Sequence, residues 1–373
     1  MKLLSMRPEI YSFPNVESFT GAFQIGKHDL ILTNRCILPE DAPVIQKAGL
    51  VVWQEDYGTG EPNDVMIEAV RNAGRKVAYE RIIAVGGGTV LDIGKLLSLK
   101  GDLPIERLGE PGVHLEKEKE LVLVPTTCGT GSEMTNISII TITHSGVKSG
   151  VVSDVLYADA AVLIPELIDA LPYQPFAASL IDALIHSAES FVSPRATRYT
   201  KIFSEKAMEL ILVGLREMRE NGQDWRKQKS EQFLFASNMA GIAFGNAGCG
   251  AVHAMSYPLG ATYHVAHGVS NYVLFTQVLR TYRKIAPNGK IAELEALLAQ
   301  ILGCGREKVY DELEGLLGFL LPRRYMCDFG VQENDLGHFV EDVETKQGRL
   351  MANACVPLPK ESLHEIYREV LHR

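Results

Sequence analysis

The stretch RIIAVGGGTVLDIGK (residues 81–95) decides how this chain is read. Ile82 to Val85 form a short apolar run of the kind that makes a buried strand. Gly86, Gly87 and Gly88 follow, and from Thr89 the apolar residues recur at helical spacing. A strand that turns through glycines into a helix is the first half of a βαβ unit. It lets backbone approach a ligand closely, and the free N–H groups of the helix start favour a phosphate. Gly86 and Gly88 fit the first two positions of the Rossmann fingerprint, but Leu91 stands where the third glycine belongs. The stretch therefore predicts a parallel sheet with a phosphate-facing turn of a different pattern, and a merely tight turn is the competing reading.

Working outward, residues 29–34, 50–56 and 121–127 also read as strands, and 64–74 and 89–99 as the helices between them. Such alternation predicts α/β architecture. The segment LVLVPTTCGTGSE (121–133) ends a strand in Thr126, Thr127, Thr130 and Ser132 beside Gly129 and Gly131. Packing gives little reason for so many hydroxyls, whereas a second ligand loop at the carboxyl edge of the sheet does. Near Pro165 the texture changes to long helix-periodic segments, among them 205–220, 231–244 and 290–302. The expectation is two domains, an α/β dinucleotide-binding domain over 1–165 and an α-helical metal-binding and substrate domain over 166–373, consistent with a length of 373 residues.

Composition narrows the class. The hydrophobic fraction of 46% and charged fraction of 22% are those of a globular protein, and the net charge of −9 comes without a basic stripe, so nucleic acid is not an expected partner. No apolar run approaches the ~18 residues that cross a bilayer, and the N-terminal residues lack a signal-peptide core, so no membrane association and a cytoplasmic location are expected. The cysteines at 36, 128, 249, 304, 327 and 355 form no CxxC pair and read as reduced thiols.

The helical half concentrates histidine. In SLIDALIHSAESFV (179–192), Asp182 and His186 stand four apart and leave one helix face. In GAVHAMSYPLGATYHVAHG (250–268), His253 lies in a second helical pattern that Pro258 and Gly260 are expected to break, and a turn would bring His267 back toward it. Each histidine alone is better explained by packing. Together, one carboxylate and three imidazoles suit a divalent ion such as Fe(II) or Zn(II) with positions left open.

These motifs, GGGTVLDIGK, PTTCGTGSE, IDALIHSAESFVSP and GAVHAMSYPLG followed by HG, resemble the iron-containing alcohol dehydrogenases in order and spacing, over roughly residues 25 to 370. The details are similar to the branch that interconverts 4-hydroxybutyrate and succinate semialdehyde. The resemblance implies the dehydroquinate-synthase-like fold, α/β plus all-α, with the active site between the two domains. It implies Asp182, His186, His253 and His267 as metal ligands, and NAD held by Gly87, Gly88 and Thr89 with Asp92 behind them, then by Thr126, Thr127 and Thr130. It further assigns Lys148 and Asn63 to cofactor contacts. Three positions depart from the pattern. Asn34 replaces the aspartate expected to hold the adenosine ribose, which leaves NAD against NADP open. Ala266 replaces a proline, and Tyr257 replaces a histidine.

The expected reaction is hydride transfer between NAD(H) and a small alcohol or aldehyde, with Tyr257 and His264 as candidate proton-relay groups. The substrate's carboxylate needs a partner, for which His264 is the nominee and Arg195, Arg198 and Lys201 the alternatives. A homo-oligomer is expected. The competing readings are another alcohol or diol dehydrogenase of this fold, a cyclising lyase of the dehydroquinate-synthase kind, and a non-catalytic nucleotide-binding module.

Overall fold

A computed structural model describes residues 2–372. The chain divides into two compact units, one running Met6–Leu171 and the other from Pro172 onward together with the first few residues.

The first unit is built on six parallel strands: β1 (Glu9–Ser12), β2 (Asp29–Thr33), β3 (Leu50–Trp53), β4 (Arg81–Gly86), β5 (Glu120–Pro125) and, after an antiparallel hairpin of β6 (Ile137–Ile142) and β7 (Val147–Val152), β8 (Ala160–Leu163). The sheet order is β1-β8-β5-β4-β2-β3. Helices α1 (Val16–Ala22), α2 (Pro43–Lys47), α3 (Asp64–Gly74), α4 (Gly88–Leu97) and α5 (Pro165–Asp169) complete it. Alternate residues of β2 and β4 separate into two clusters. Leu30, Leu32, Ile82 and Ala84 pack with α3 and α4, while Ile31, Ile83 and Val85 pack with α1 and α2. A parallel sheet covered on both faces explains why these strands read as unbroken apolar runs.

Register places the two candidate loops side by side. Gly86 pairs with Pro125, and the Thr126 N–H donates to the Gly86 carbonyl at 3.0 Å, so the chain leaves β4 and β5 at one level. The strand expected over 50–56 is shorter than its sequence suggests. After Trp53 the chain coils into a 3-10 turn over Gln54–Tyr57, stabilised where Gln54 Nε2 donates to the Gly58 carbonyl at 2.8 Å.

The second unit is helical. It contains α6 (Tyr173–Val192), α7 (Arg198–Asn221), α8 (Ser230–Ala247), α9 (Ala251–Tyr263), α10 (His267–Ile285), α11 (Lys290–Leu302) and α12 (Val309–Leu320), with shorter helices toward the C-terminus. One expectation fails here. Helix α9 runs through Pro258 to Tyr263 instead of breaking at Pro258 and Gly260. An interior proline costs about 3 kcal/mol, but Ala254, Met255 and Leu259 around it are fully buried and hold the helix together. No helix among the described residues is long and apolar enough to cross a membrane.

Candidate metal centre and nucleotide loops

Asp182 and His186 come from one face of α6, His253 from the first turn of α9, and His267 is the first residue of α10. Their potential donor atoms all lie within 4.8 Å of one another. Asp182 is the hub: its carboxylate oxygens are 3.7 Å from His186, 3.6 Å from His253 and 3.7 Å from His267. Asp182, His186 and His253 are buried, and His267 is the most exposed of the four, with 31% of its side chain accessible. Phe244 stacks on the His186 ring at 4.2 Å, fixing its plane.

Gly268 makes the assembly possible. A Cβ at that position would overlap the Ala178 carbonyl oxygen of α6 and sit 3.4 Å from Asp182 Cβ. Only glycine lets the two backbones come this close, and the approach delivers the neighbouring His267 to Asp182.

Two residues that the sequence reading passed over orient the cluster. Glu189 accepts a hydrogen bond from His253 Nδ1 at 2.6 Å and another from the Val252 N–H at 2.7 Å. Asn271 Nδ2 donates to Asp182 Oδ1 at 2.8 Å and lies 3.2 Å from His267 Nε2. Their spacing carried a signal. Glu189 is seven residues after Asp182 and three after His186, on the same face, and Asn271 is one turn after His267. Burial pushes the Asp182 carboxyl up, but the neighbouring imidazoles of His186, His267 and His253 outweigh it and hold the group well below the usual carboxylate range. Burial likewise disfavours a charged His253, and the carboxylates of Asp182 and Glu189 beside it win, pushing it up to about 9.

The donor set fits a divalent ion. With Nδ1 bound to Glu189, the remaining His253 nitrogen, Nε2, is buried without a hydrogen-bond partner and faces the Asp182 carboxylate. A carboxylate that fixes the tautomer of an imidazole and leaves the other nitrogen facing a cluster is the usual support of a ligating histidine. Binding there would displace the His253 proton.

Tyr257 follows His253 by one turn of α9, with its ring 6.0 Å from that of His267. His264 is not one of the four grouped donors. It is exposed and ends α9 in the left-handed region at φ 53°. Arg195 and Arg198 are exposed as well, and Lys201 is paired with Glu293.

In the sheet unit, Gly87 caps α4 without any side-chain hydrogen bond, leaving the first-turn N–H groups of Gly88 and Thr89 for a ligand. A Cβ at Gly88 would stand 2.9 Å from the Thr130 methyl, so the two loops touch only because this residue has no side chain. Thr126 is buried, Thr127 and Thr130 are partly exposed, and Thr89 donates to the Gly60 carbonyl at 3.0 Å. These features fit a phosphate cradle of backbone donors and hydroxyls. Asp92 stands behind the loops. Its oxygens accept from Ser132 Oγ at 2.6 Å and the Ile139 N–H at 2.9 Å, and fully buried Lys95 lies 3.3 Å away, so it ties α4 to the second loop and to the hairpin. Asn63 caps α3 by accepting from the Met66 N–H at 2.8 Å, and Lys148 pairs with Glu61 at 2.7 Å. Asn34 follows β2 and donates to Gln54 and Glu55.

Comparison with known proteins agrees with this architecture. Residues 15–165 match the model of the iron-containing alcohol dehydrogenases, and residues 176–371 that of the C-terminal part of the Fe-containing alcohol dehydrogenase family. A 4-hydroxybutyrate dehydrogenase of Clostridium kluyveri is 47% identical over 99% of this chain and 100% of its own length. Among solved structures, a 1,3-propanediol oxidoreductase superposes with a TM-score of 0.85 at 25% identity, covering 99% of this chain and 100% of that one. A sulfoacetaldehyde reductase from Bifidobacterium kashiwanohense, solved in complex with NAD+, superposes with a TM-score of 0.87 at 20% identity over 98% of both chains. With both units matched and a relative this similar along its entire length, the chain belongs to the iron-containing alcohol dehydrogenase family.

Proposed function

We propose that this protein is a metal- and NAD-dependent dehydrogenase that interconverts 4-hydroxybutyrate and succinate semialdehyde. The observation that carries the metal-dependent chemistry is the convergence of Asp182, His186, His253 and His267, with the bare Nε2 of His253 facing Asp182. The substrate follows from the full-length similarity to a 4-hydroxybutyrate dehydrogenase. The four residues would hold Fe(II), the metal of the family's description, and Zn(II) accepts the same donors.

In the net reaction the alcohol carbon gives a hydride to NAD+, and the hydroxyl gives a proton to solvent. A divalent ion supplies Lewis acidity at the reacting oxygen, and NAD is the hydride acceptor. This chain's residues do the rest. Glu189 holds His253 in one tautomer, Asn271 fixes Asp182 and His267, and Phe244 keeps His186 in plane. The loops after β4 and β5 take the pyrophosphate on backbone N–H groups and hydroxyls, with Asp92 and Lys95 bracing them from behind. Tyr257, beside His267, is the nearer of the two relay candidates, and His264 serves at the exposed end of α9. The protein is proposed to work in the cytoplasm as a homo-oligomer, its cysteines reduced. None of the six is joined in a disulfide.

The test is an anaerobic assay on protein of measured metal content. Succinate semialdehyde should oxidise NADH mole for mole, and 4-hydroxybutyrate should be turned over far faster than 1-butanol or 1,3-propanediol. Preference for the diol would move the assignment to a diol dehydrogenase, and product without net NADH turnover would move it to a lyase. Absence of metal from protein purified anaerobically would favour a binding module.

A further inference from the structure

This inference rests on NAD as the cofactor and concerns how the chain tells NAD from NADP. Strand β2 lies beside β4, which carries the glycine turn, and β3 lies beyond β2. In parallel sheets that bind dinucleotides, the residue at the carboxyl end of the strand next to the phosphate turn meets the adenosine ribose. Here that residue is Asn34, directly after Thr33. An amide at this place is ambivalent, because it can offer N–H to a 2′-phosphate or oxygen to a 2′-hydroxyl.

Its neighbours remove the ambivalence. Asn34 Nδ2 is 2.8 Å from Glu55 Oε2 and 3.0 Å from Gln54 Oε1. A carboxylate only accepts, so Glu55 dictates which end of the amide faces it. Gln54 spends its own Nε2 on the Gly58 carbonyl at 2.8 Å, so its oxygen is the end turned toward Asn34. Both Asn34 amide hydrogens are consumed, and Oδ1 is what remains for a ligand.

We propose that Glu55, acting through Asn34, is the residue that selects NAD over NADP: it leaves Asn34 presenting only an acceptor to the 2′-hydroxyl, and its own charge opposes a 2′-phosphate. The cation that a phosphate would recruit is already committed. Arg35 forks Asp56 at 2.6 and 3.0 Å, bonds Glu40 at 2.9 Å and lies over the Trp53 ring at 4.9 Å, while its backbone N–H donates to Glu55 Oε1 at 2.8 Å. Three carboxylates around one guanidinium leave the surface negative. Glu55 stays ionised there. Burial pushes it up, but the Arg35 backbone N–H, the Asn34 amide and the Arg35 charge together bring it below the usual range. Glu55 is thus a positioning residue for the ribose pocket, and it makes an asparagine behave as the expected aspartate would.

Dissociation constants for NADH and NADPH, read from nucleotide fluorescence without substrate, test this directly. The native protein should bind NADH on the order of a hundredfold more tightly, since a like-charge contact costs several kcal/mol. In Glu55→Gln that ratio should fall by about tenfold, through tighter NADPH binding. Asp56→Asn, which loosens one arm of the Arg35 clamp, should move NADPH in the same direction by less, and it carries the test if Glu55→Gln does not fold. Equal affinities in the native protein, or a Glu55→Gln effect that weakens both nucleotides alike, would overturn the proposal while leaving NAD binding intact. Failure of the native protein to bind either nucleotide would overturn the NAD reading itself.

Discussion

Asp182, His186, His253 and His267 put four side-chain donors within 4.8 Å of one another, whereas the loops after β4 and β5 offer mainly backbone N–H groups, threonine hydroxyls and glycines. The helical site depends on chemical identity at a few positions, so losing one donor removes a fixed fraction of the coordination. The sheet site spreads its interactions over many weak donors, so changes there should be graded. That difference can be attacked from both sides.

The largest effect should come from His267→Ala, which removes one imidazole from the cluster. Bound metal should be lost and kcat/KM should fall on the order of 10³-fold. A mutant that retains full metal content and activity would remove His267 from the ligand set. Next comes Glu295→Gln, which asks whether a buried carboxylate of the helical unit away from the cluster serves structure alone. Glu295 is fully buried among Arg283, Arg306 and Tyr310, with Arg306 at 2.6 Å and Tyr310 at 2.7 Å. Burial raises its carboxyl, but these hydrogen bonds lower it further, below its ordinary value. The stability it contributes is therefore present above the unfolded-state pKa and lost as pH falls through the lower folded-state value. The variant should lose about 3 kcal/mol at neutral pH and show a flatter acid limb in a plot of Tm against pH, with metal content unchanged.

Glu189→Gln is milder. It keeps a hydrogen-bond partner for His253 but not the charge, and metal affinity measured by chelator competition should drop about 10- to 100-fold. Unchanged affinity would mean that Glu189 only caps α9 through Val252. The smallest effect belongs to the sheet: Gly88→Ala pushes a methyl against Thr130 and should raise KM for NAD by about tenfold with bound metal intact. A complete loss of activity there would erase the contrast between concentrated and distributed sites.

The sequence made the helical half legible because both its signals are local. Donor side chains announce their chemistry, and 3.6-residue spacing places Asp182 and His186 on one face. What stayed hidden was non-local. Glu189 has the right spacing on α6, but its partner, His253, is sixty-four residues away. Asn34 looked like a relaxation of cofactor choice, because the carboxylate that fixes its amide sits after another strand. Strand β1 went unread because all four of its residues are exposed at the sheet edge, which leaves no apolar periodicity. Proline chemistry misled at Pro258, where burial on α9 outweighs the lost hydrogen bond.

The missing side chain of Gly268 has a consequence for the life of the holoprotein. Because α10 is held against α6 by backbone contact at this point, the spacing of the donors is set by how two helices cross, not by the ion they receive. Such a unit should fold first and be filled afterwards. Stripping the metal should leave its helices and cooperative melting in place, and re-adding a ferrous salt should restore the centre without a refolding step. Iron lost to air would then be a reversible injury, repaired by resupply.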